Sequence, residues 1–587
     1  MKGFFKFTFA SILGVIIGLV IFVFIIMGII NAASKEKPVV LEENTVLYAE
    51  FSQPIIDRHP KSPFEYFSPL TFEPESRLGL DLILENLEKA KQNENIAGMV
   101  MNLEIVPTGI ATLNEIRNAI LDFKSEGKFV YCYSSLLTQS SYFLATAADK
   151  IFLAPEGQLP IIGMSAEVIF IKRMLDKIGV EMQVFKHGEY KGAVEPLLYE
   201  RLSEENREQI QQYLNSLWGH MVDEISAARG ISVEELNQMA GSLNAINADD
   251  ALRNNLVDDL IYYDQFIDEI KSLTETPEDK DIKTVTFANL DKVPKKRKQK
   301  GLARDKIAVV YASGDIIDGE GAMDMVGADR FAKSIREARK DSSIKAIVLR
   351  VNSPGGSAMA SDIIWREVKL ATETKPVIAS MGDVAASAAY YIVAPATKIL
   401  ASPITITGSI GVFGIWPNLK ELMNDKLGIT SDIVKTNEHA DFGFPLKPLN
   451  AIEKQKLAEQ VDNFYEEFVN VVAEGRNMTY EEVDALARGH VYSGEDALAI
   501  GLIDEFGGLD KAIEMAAIEA DIETYRTVKL PEIPDPFQKI IEDFTGNARL
   551  DVLENELGEH YYYYKMLKEI QSMKGLQARM PFEVRIR

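Results

Sequence analysis

Between positions 7 and 34 the chain carries no charged residue, and Ile, Val, Leu and Phe crowd together. A helix over this run rises about 1.5 Å per residue and outspans a hydrocarbon core of about 30 Å. The run is longer than the ~7–15 apolar residues of a cleaved leader, so a retained transmembrane anchor over 7–34 is expected behind a short tail, 1–6. The small residues of Asn31-Ala-Ala-Ser34 leave cleavage as the competing reading. Lys2 and Lys6 precede the run and Lys35 and Lys37 follow it, so flanking charge gives orientation almost no bias. Past the anchor, short apolar runs alternate with stretches of helical period. Positions 306–311, 346–351 and 376–380 read as buried strands, and 331–339 and 361–371 as helices. Strands alternating with helices predict an α/β fold, with parallel sheet built from βαβ units.

The pattern occurs twice. Val46-Leu-Tyr-Ala-Glu-Phe-Ser-Gln-Pro-Ile-Ile-Asp57 resembles Val309-Val-Tyr-Ala-Ser-Gly-Asp-Ile-Ile-Asp318, and Asn95-Ile-Ala-Gly-Met-Val-Met-Asn102 resembles Ser343-Ile-Lys-Ala-Ile-Val-Leu-Arg350. Tyr142-Phe-Leu-Ala-Thr-Ala-Ala-Asp-Lys-Ile151 returns 248 residues later from Tyr390, and Ala251-Leu-Arg-Asn-Asn-Leu-Val-Asp258 returns 246 later from Ala497. Two tandem copies of one domain are expected, over 44–275 and 306–587, the second with a C-terminal extension. The span 276–305 between them holds the basic run Lys292-Val-Pro-Lys-Lys-Arg-Lys-Gln-Lys300. In so acidic a chain this reads as a solvated linker rather than a nucleic-acid patch.

Composition narrows the picture. A net charge of -25 over 587 residues repels polyanions, so no nucleic-acid partner is expected. The one cysteine, Cys132, excludes an intrachain disulfide and lies in an apolar run that suits a buried structural thiol.

Candidate chemistry clusters in three segments. Asn352-Ser-Pro-Gly-Gly-Ser357 follows a predicted strand, where paired glycines free backbone N–H groups to approach a ligand. Met381-Gly-Asp-Val-Ala-Ala-Ser387-Ala-Ala-Tyr390 runs from a strand into an Ala-rich helix ended by Pro395, which puts Ser387 near a helix N-terminus. The N–H of Ala388 is there a candidate donor to an oxyanion. A serine nucleophile needs a base, and none of the six histidines stands in a triad context. The third segment, Phe185-Lys-His-Gly-Glu-Tyr-Lys191-Gly-Ala-Val-Glu-Pro196, offers Lys191 instead. Its ordinary pKa near 10.4 would have to fall toward neutrality, which burial among apolar groups supplies.

These segments, with Thr407-Gly-Ser-Ile-Gly-Val-Phe-Gly414, resemble the signal peptide peptidase A family, the long tandem-repeat form of protease IV, within the Clp-protease/crotonase fold. The resemblance implies Ser387 as nucleophile, Lys191 as general base and Ser409 as the residue that orients the lysine. It implies oxyanion donors at Gly355 and Ala388, with Gly356 the alternative to Gly355, and no metal or organic cofactor. Where the family usually has Ala-Ser-Gly-Gly this chain has Ala386-Ser-Ala-Ala389, whose added methyl bears on the neighbouring subsite. The implied substrates are residual signal peptides and other hydrophobic peptides. The implied setting is a bacterial inner membrane, with the single-pass protein's catalytic domains on the periplasmic or extracytoplasmic side and assembly as a homo-oligomeric ring, a tetramer.

The repeat gives a separate check. Ser387 corresponds to Gln139, Gly355 to Pro107 and Lys191 to Ala440. Each copy lacks what the other holds, which predicts one composite site per chain. Two rivals remain at this level: a crotonase-like acyl-CoA enzyme in which Ser387 is incidental, and a catalytically silent membrane scaffold. The aromatic run His560-Tyr-Tyr-Tyr-Tyr-Lys565 is expected to serve core or oligomer packing.

Overall fold

The computed structural model describes residues 14, 18, 39–60, 77–294, 304–532 and 575–580. The expected tail and anchor over 1–34, the basic run 295–300 and the aromatic run 560–565 lie outside these stretches, apart from two isolated glycines. No helix among the described residues is long and apolar enough to cross a membrane.

In the first repeat, β1 (Thr45–Glu50), β2 (Ile96–Asn102), β3 (Phe129–Leu136) and β4 (Lys150–Gln158) pair in parallel. The crossovers carry α1 (Ile110–Lys124) and α2 (Gln139–Ala145). β5 (Glu181–Lys186) leaves this sheet, and α3 (Glu204–Arg229) follows it. β6 (Asp259–Leu260) and β7 (Thr284–Thr286) close the edges, giving the order β6-β4-β3-β2-β1-β7. β7 falls inside the span 276–305 read as linker. Val285, Phe287 and Leu290 are buried there, so apolar burial draws this stretch onto the first sheet before the basic run begins.

The second repeat follows the same plan with more strands. β8 (Lys306–Ser313), β9 (Ile316–Ile317) and β10 (Val326–Gly327) precede α4 (Ala328–Lys340). β11 (Ile344–Ser353) leads through the short β12 (Gly355–Ser357) into α5 (Ala358–Thr372), which begins three residues before the expected start because Ser357 caps it. β13 (Val377–Ala386), α6 (Ala388–Val393), β14 (Lys398–Ala401), β15 (Ile406–Gly408), β16 (Phe413–Asn418), β17 (Val491–Ser493) and β18 (Arg526–Leu530) complete the body. The main sheet runs β17-β15-β13-β11-β8-β18, with β14 also beside β13. A last strand, β19 (Leu576–Arg579), joins a separate sheet in the order β10-β9-β12-β19-β16-β5.

The two repeats share a core. Along β8, Ile307, Val309 and Tyr311 join an apolar cluster that extends through the first repeat, while Ala308, Val310 and Ala312 join the second repeat's own cluster. Side chains alternate across a strand, so this sheet is covered on both faces. That is why its strands read as unbroken apolar runs. Cys132 is buried on β3, and burial pushes its thiol well above the ordinary range.

Charge is also buried where the repeats meet. Arg350 on β11 is fully covered and lies 2.7 Å from Asp57 and 2.6 Å from Glu115, both of the first repeat. Asp57 accepts a second bond from Ser313 Oγ at 2.8 Å, and Glu115 accepts one from the Leu509 N–H at 2.9 Å. Removing one member strands the others without solvent. Asp57→Ala is therefore expected to cost about 3–5 kcal/mol, read as a lowered thermal midpoint. A midpoint unchanged from wild type would contradict this role for the cluster.

Candidate active site

Strand pairing between the repeats builds the site. β5 of the first repeat runs antiparallel to β16 of the second, with Lys186 opposite Phe413 and Phe185 opposite Gly414. The chain then turns, and Lys191 enters five residues later at the start of a short 3-10 turn, Gly192–Val194. Its backbone is tied down on both sides: the Tyr190 N–H donates to Arg488 O at 3.1 Å, and Gln209 on α3 donates to Tyr190 O at 3.0 Å. Gly489 allows the closest approach. A Cβ there would stand 2.6 Å from Lys191 N, and its φ of +86° is one that L side chains rarely adopt.

Ser387 ends β13. Its φ of 58° and ψ of -119° are values suited to glycine at a tight turn. Such a conformation costs on the order of 1–3 kcal/mol and persists only where surroundings enforce it. Here the Ser387 N–H donates to Gly408 O at 2.8 Å, and Ser387 O accepts from the Tyr391 N–H at 2.9 Å as α6 begins. Ser409, next to Gly408, also has a positive φ, 51°. Its N–H donates to His490 O at 2.6 Å.

The result is a compact polar cluster without solvent. Lys191 Nζ lies 2.7 Å from Ser387 Oγ and 3.0 Å from both Ser409 O and Ser409 Oγ. All three residues are fully buried. Burial holds the Lys191 amine well below the usual lysine range, with no carboxylate opposing it. An amine with two N–H groups and one lone pair matches three oxygen neighbours, two accepting and one donating.

The remaining expected residues also converge. Ala388 is the first residue of α6, a position whose N–H has no acceptor within the helix. A Cβ built on Gly355 would be 3.0 Å from Ala388 N, which places the two backbones side by side. The Gly355 N–H donates to Ser353 Oγ at 3.2 Å. Gly356 is held on its other side, where a Cβ would strike Ile316 O at 2.0 Å. The methyls of Ala388 and Ala389 lie in the second repeat's core. No His, Cys, Asp and Glu grouping suited to a metal ion is found among the described residues.

One element was not foreseen from sequence. β19 pairs antiparallel with β12, Gly355 opposite Arg579 and Ser357 opposite Gln577, and antiparallel with β16, Phe413 opposite Gln577. A short strand from the C-terminal extension thus fills the slot between the glycine strand and the strand after Ser409. Gln577 and Ala578 are buried in it. The four residues of β19, Leu576-Gln-Ala-Arg579, alternate for only two periods, too short a run to mark a strand from sequence.

Comparison with known proteins gives a consistent result. Residues 122–276 and again 369–523 match Peptidase family S49, and residues 302–405 match Clp protease. Serine protease SPPA, chloroplastic, of Arabidopsis thaliana is 32% identical over 510 residues, 86% of this chain and 74% of its own. Protease 4 of Salmonella typhi is 34% identical over 480 residues, 80% of this chain and 76% of its own. Protease 4 of Haemophilus influenzae is 35% identical over 440 residues, 73% of this chain and 71% of its own.

The depressed Lys191 pKa has a consequence for stability. At neutral pH the unfolded chain binds a proton that the native amine does not, so native stability rises with pH up to the ordinary lysine range and levels off above it. Lys191→Met removes this burden. Its thermal midpoint relative to wild type is expected to be most favourable near pH 7 and to lose ground steadily toward pH ~10. A difference independent of pH would show that the amine is charged in the native state.

Proposed function

Because the chain belongs to peptidase family S49, we propose that it is a membrane-anchored serine endopeptidase in which Ser387 and Lys191 form a dyad that cuts hydrophobic peptides. That it is a serine protease with tandem domains of Clp-protease-like fold follows from its relatives. The finer reading is supported above all by the 2.7 Å separation of a buried amine and a buried hydroxyl with no counter-charge nearby.

Neutral Lys191 donates its two N–H groups to Ser409 O and Oγ and turns its lone pair to Ser387. As Ser387 Oγ attacks the scissile carbonyl, its proton passes to Nζ. The oxygen of the tetrahedral intermediate is held by the Gly355 and Ala388 amides. Gly355 exchanges its 3.2 Å bond to Ser353 for this oxygen. Protonated Lys191 then delivers its proton to the leaving amine, and the C–N bond breaks. Water, deprotonated by the same lysine, adds to the acyl carbon, and the bond to Ser387 Oγ breaks as the lysine returns that proton to Oγ. Every proton moves through one nitrogen, and no cofactor takes part.

The substrate enters as an extended strand. The chain's own β19 lies between β12 and β16 with main-chain pairing on both edges, which supports an extended substrate in the same slot. The anchor over 7–34 would hold this slot beside the membrane, on the extracytoplasmic side, where residual signal peptides lie. The boundaries 44–275 and 306–587, and a homo-oligomeric ring, belong to the same proposal.

Two results are expected. Hydrolysis of a fluorogenic signal-peptide substrate falls by at least 10³-fold in Ser387→Ala and in Lys191→Ala, and a fluorophosphonate labels Ser387 in wild type only. Wild-type rates in either variant would end the dyad reading. Deleting 575–587 is expected to raise kcat/KM for a short peptide several-fold by vacating the slot. An unchanged kcat/KM would mean that peptides bind elsewhere.

A further inference from the structure

β13 does not run straight to Ser387. Val351 on β11 faces Met381 and Ser353 faces Ala385, so Gly382, Asp383 and Val384 together stand opposite the single residue Asn352. This bulge bends β13 away from β11 and hands its last residues to β15, with Val384 opposite Ile406 and Ala386 opposite Gly408. Bulges beside active sites re-aim side chains, and here the residue re-aimed is Ser387.

Three side chains fix the bulge. Asn352 Oδ1 accepts from the Val384 N–H at 3.2 Å, and Thr405 Oγ1 donates to Gly382 O at 2.8 Å. Both belong to the second repeat. The third tie crosses between repeats: Asp383 Oδ1 accepts from the Thr112 N–H at 2.9 Å, and Oδ2 accepts from Thr112 Oγ1 at 2.6 Å. Thr112 lies in the first turn of α1, whose N-cap, Gly109, has no side chain to offer. A Cβ on Gly109 would meet the Asp383 carboxyl carbon at 2.2 Å. The carboxylate therefore stands where an N-cap side chain would, and supplies the bond that Ser or Asp at that position ordinarily gives.

The repeat comparison sharpens the contrast. The 248-residue offset pairs Gly109 with Ser357, which caps its own helix α5 through the Ala360 N–H. It pairs Asp383 with Ser135, an exposed residue bonded to Glu104. The first repeat has lost the cap that the second keeps, and the second contributes a carboxylate that the first never presents.

We infer that Asp383 is a positioning residue for Ser387, anchoring the bulge that aims the nucleophile to the N-terminus of a helix in the other repeat. Ser387 sits four residues further along the chain in a strained conformation, so its Oγ depends on where the bulge is held. The inference rests on Ser387 being the nucleophile. Helix capping and strand anchoring are separable, because only the first can be restored from within the helix. Gly109 has φ of -76° and ψ of 162°, which any residue adopts, and the atoms crowding its Cβ direction are those of the Asp383 carboxyl.

The test measures kcat, KM and thermal midpoint with a fluorogenic signal-peptide substrate for wild type, Asp383→Ala, Asp383→Ala with Gly109→Ser, and Ser387→Ala. Asp383→Ala is expected to lower the midpoint and to reduce kcat about tenfold, with KM within about twofold. Adding Gly109→Ser is expected to restore the midpoint and leave kcat low. Recovery of kcat together with the midpoint would reduce Asp383 to a helix cap, and full kcat in the single variant would overturn its role outright. Should the single variant fail to fold, the double variant, capped from within, carries the comparison. An active Ser387→Ala would instead remove the nucleophile on which the inference rests, whereas an inactive Ser387→Ala beside a fully active Asp383→Ala rejects the positioning role alone.

Discussion

The complete burial of the Lys191 amine, which holds its pKa well below the usual lysine range, is the constraint on which the rest of the site depends. Water stabilises an ammonium strongly, so the neutral form prevails only where water and carboxylates are both kept away. The fold meets both conditions by enclosing Lys191 between backbone segments rather than between polar side chains. Gly489 lies against its main chain, and a Cβ on Gly411 would stand 3.2 Å from its Cδ. The oxygens that remain, on Ser387 and Ser409, are uncharged. The glycines around the lysine thus serve chemistry as much as turn geometry.

No single repeat could provide this enclosure. The lysine belongs to the first copy and the serines to the second, and β5 is carried across to pair with β16 so that they meet. Around this crossing the repeats fuse: one face of β8 packs into the apolar cluster of the first repeat, Arg350 is clasped by two carboxylates of the other copy, and Asp383 reaches α1. Duplication left two sets of parts. Divergence kept one of each and made the seam between the copies the place where precision is required.

Much of this was legible in the sequence. The alternation of apolar runs and helical periods gave parallel α/β sheet, and the 248-residue repeat gave two copies. Glycine pairs and an Ala-rich turn drew attention to 352–357 and 381–390 because their backbones are exceptional. Lys191 was legible through its motif alone, since nothing in the composition of its segment distinguishes a dry lysine from a wet one. What stayed hidden was pairing at long range. Arg350 falls in a run read as a buried strand, and nothing local shows how its charge is met until Asp57 and Glu115 arrive from some 235 to 293 residues away. Asp383 looks like a turn former until Thr112 is seen above it. β19 was hidden because its alternation covers only four residues and the strand is held by neighbours' backbones. The start of the linker was placed too early for a related reason, as Val285, Phe287 and Leu290 are too few to announce an edge strand and helix.

The amine and the hydroxyl that meet at 2.7 Å are separated by 196 positions in the chain. Taken alone, the first copy would lack the Ser387 and Ser409 oxygens around its lysine and the face of β8 that packs into its apolar cluster. These contacts form only when the second copy has been made and has docked against it. On the dyad reading proposed above, a chain translated from its N-terminus therefore stays without a nucleophile and base in contact until both copies are complete.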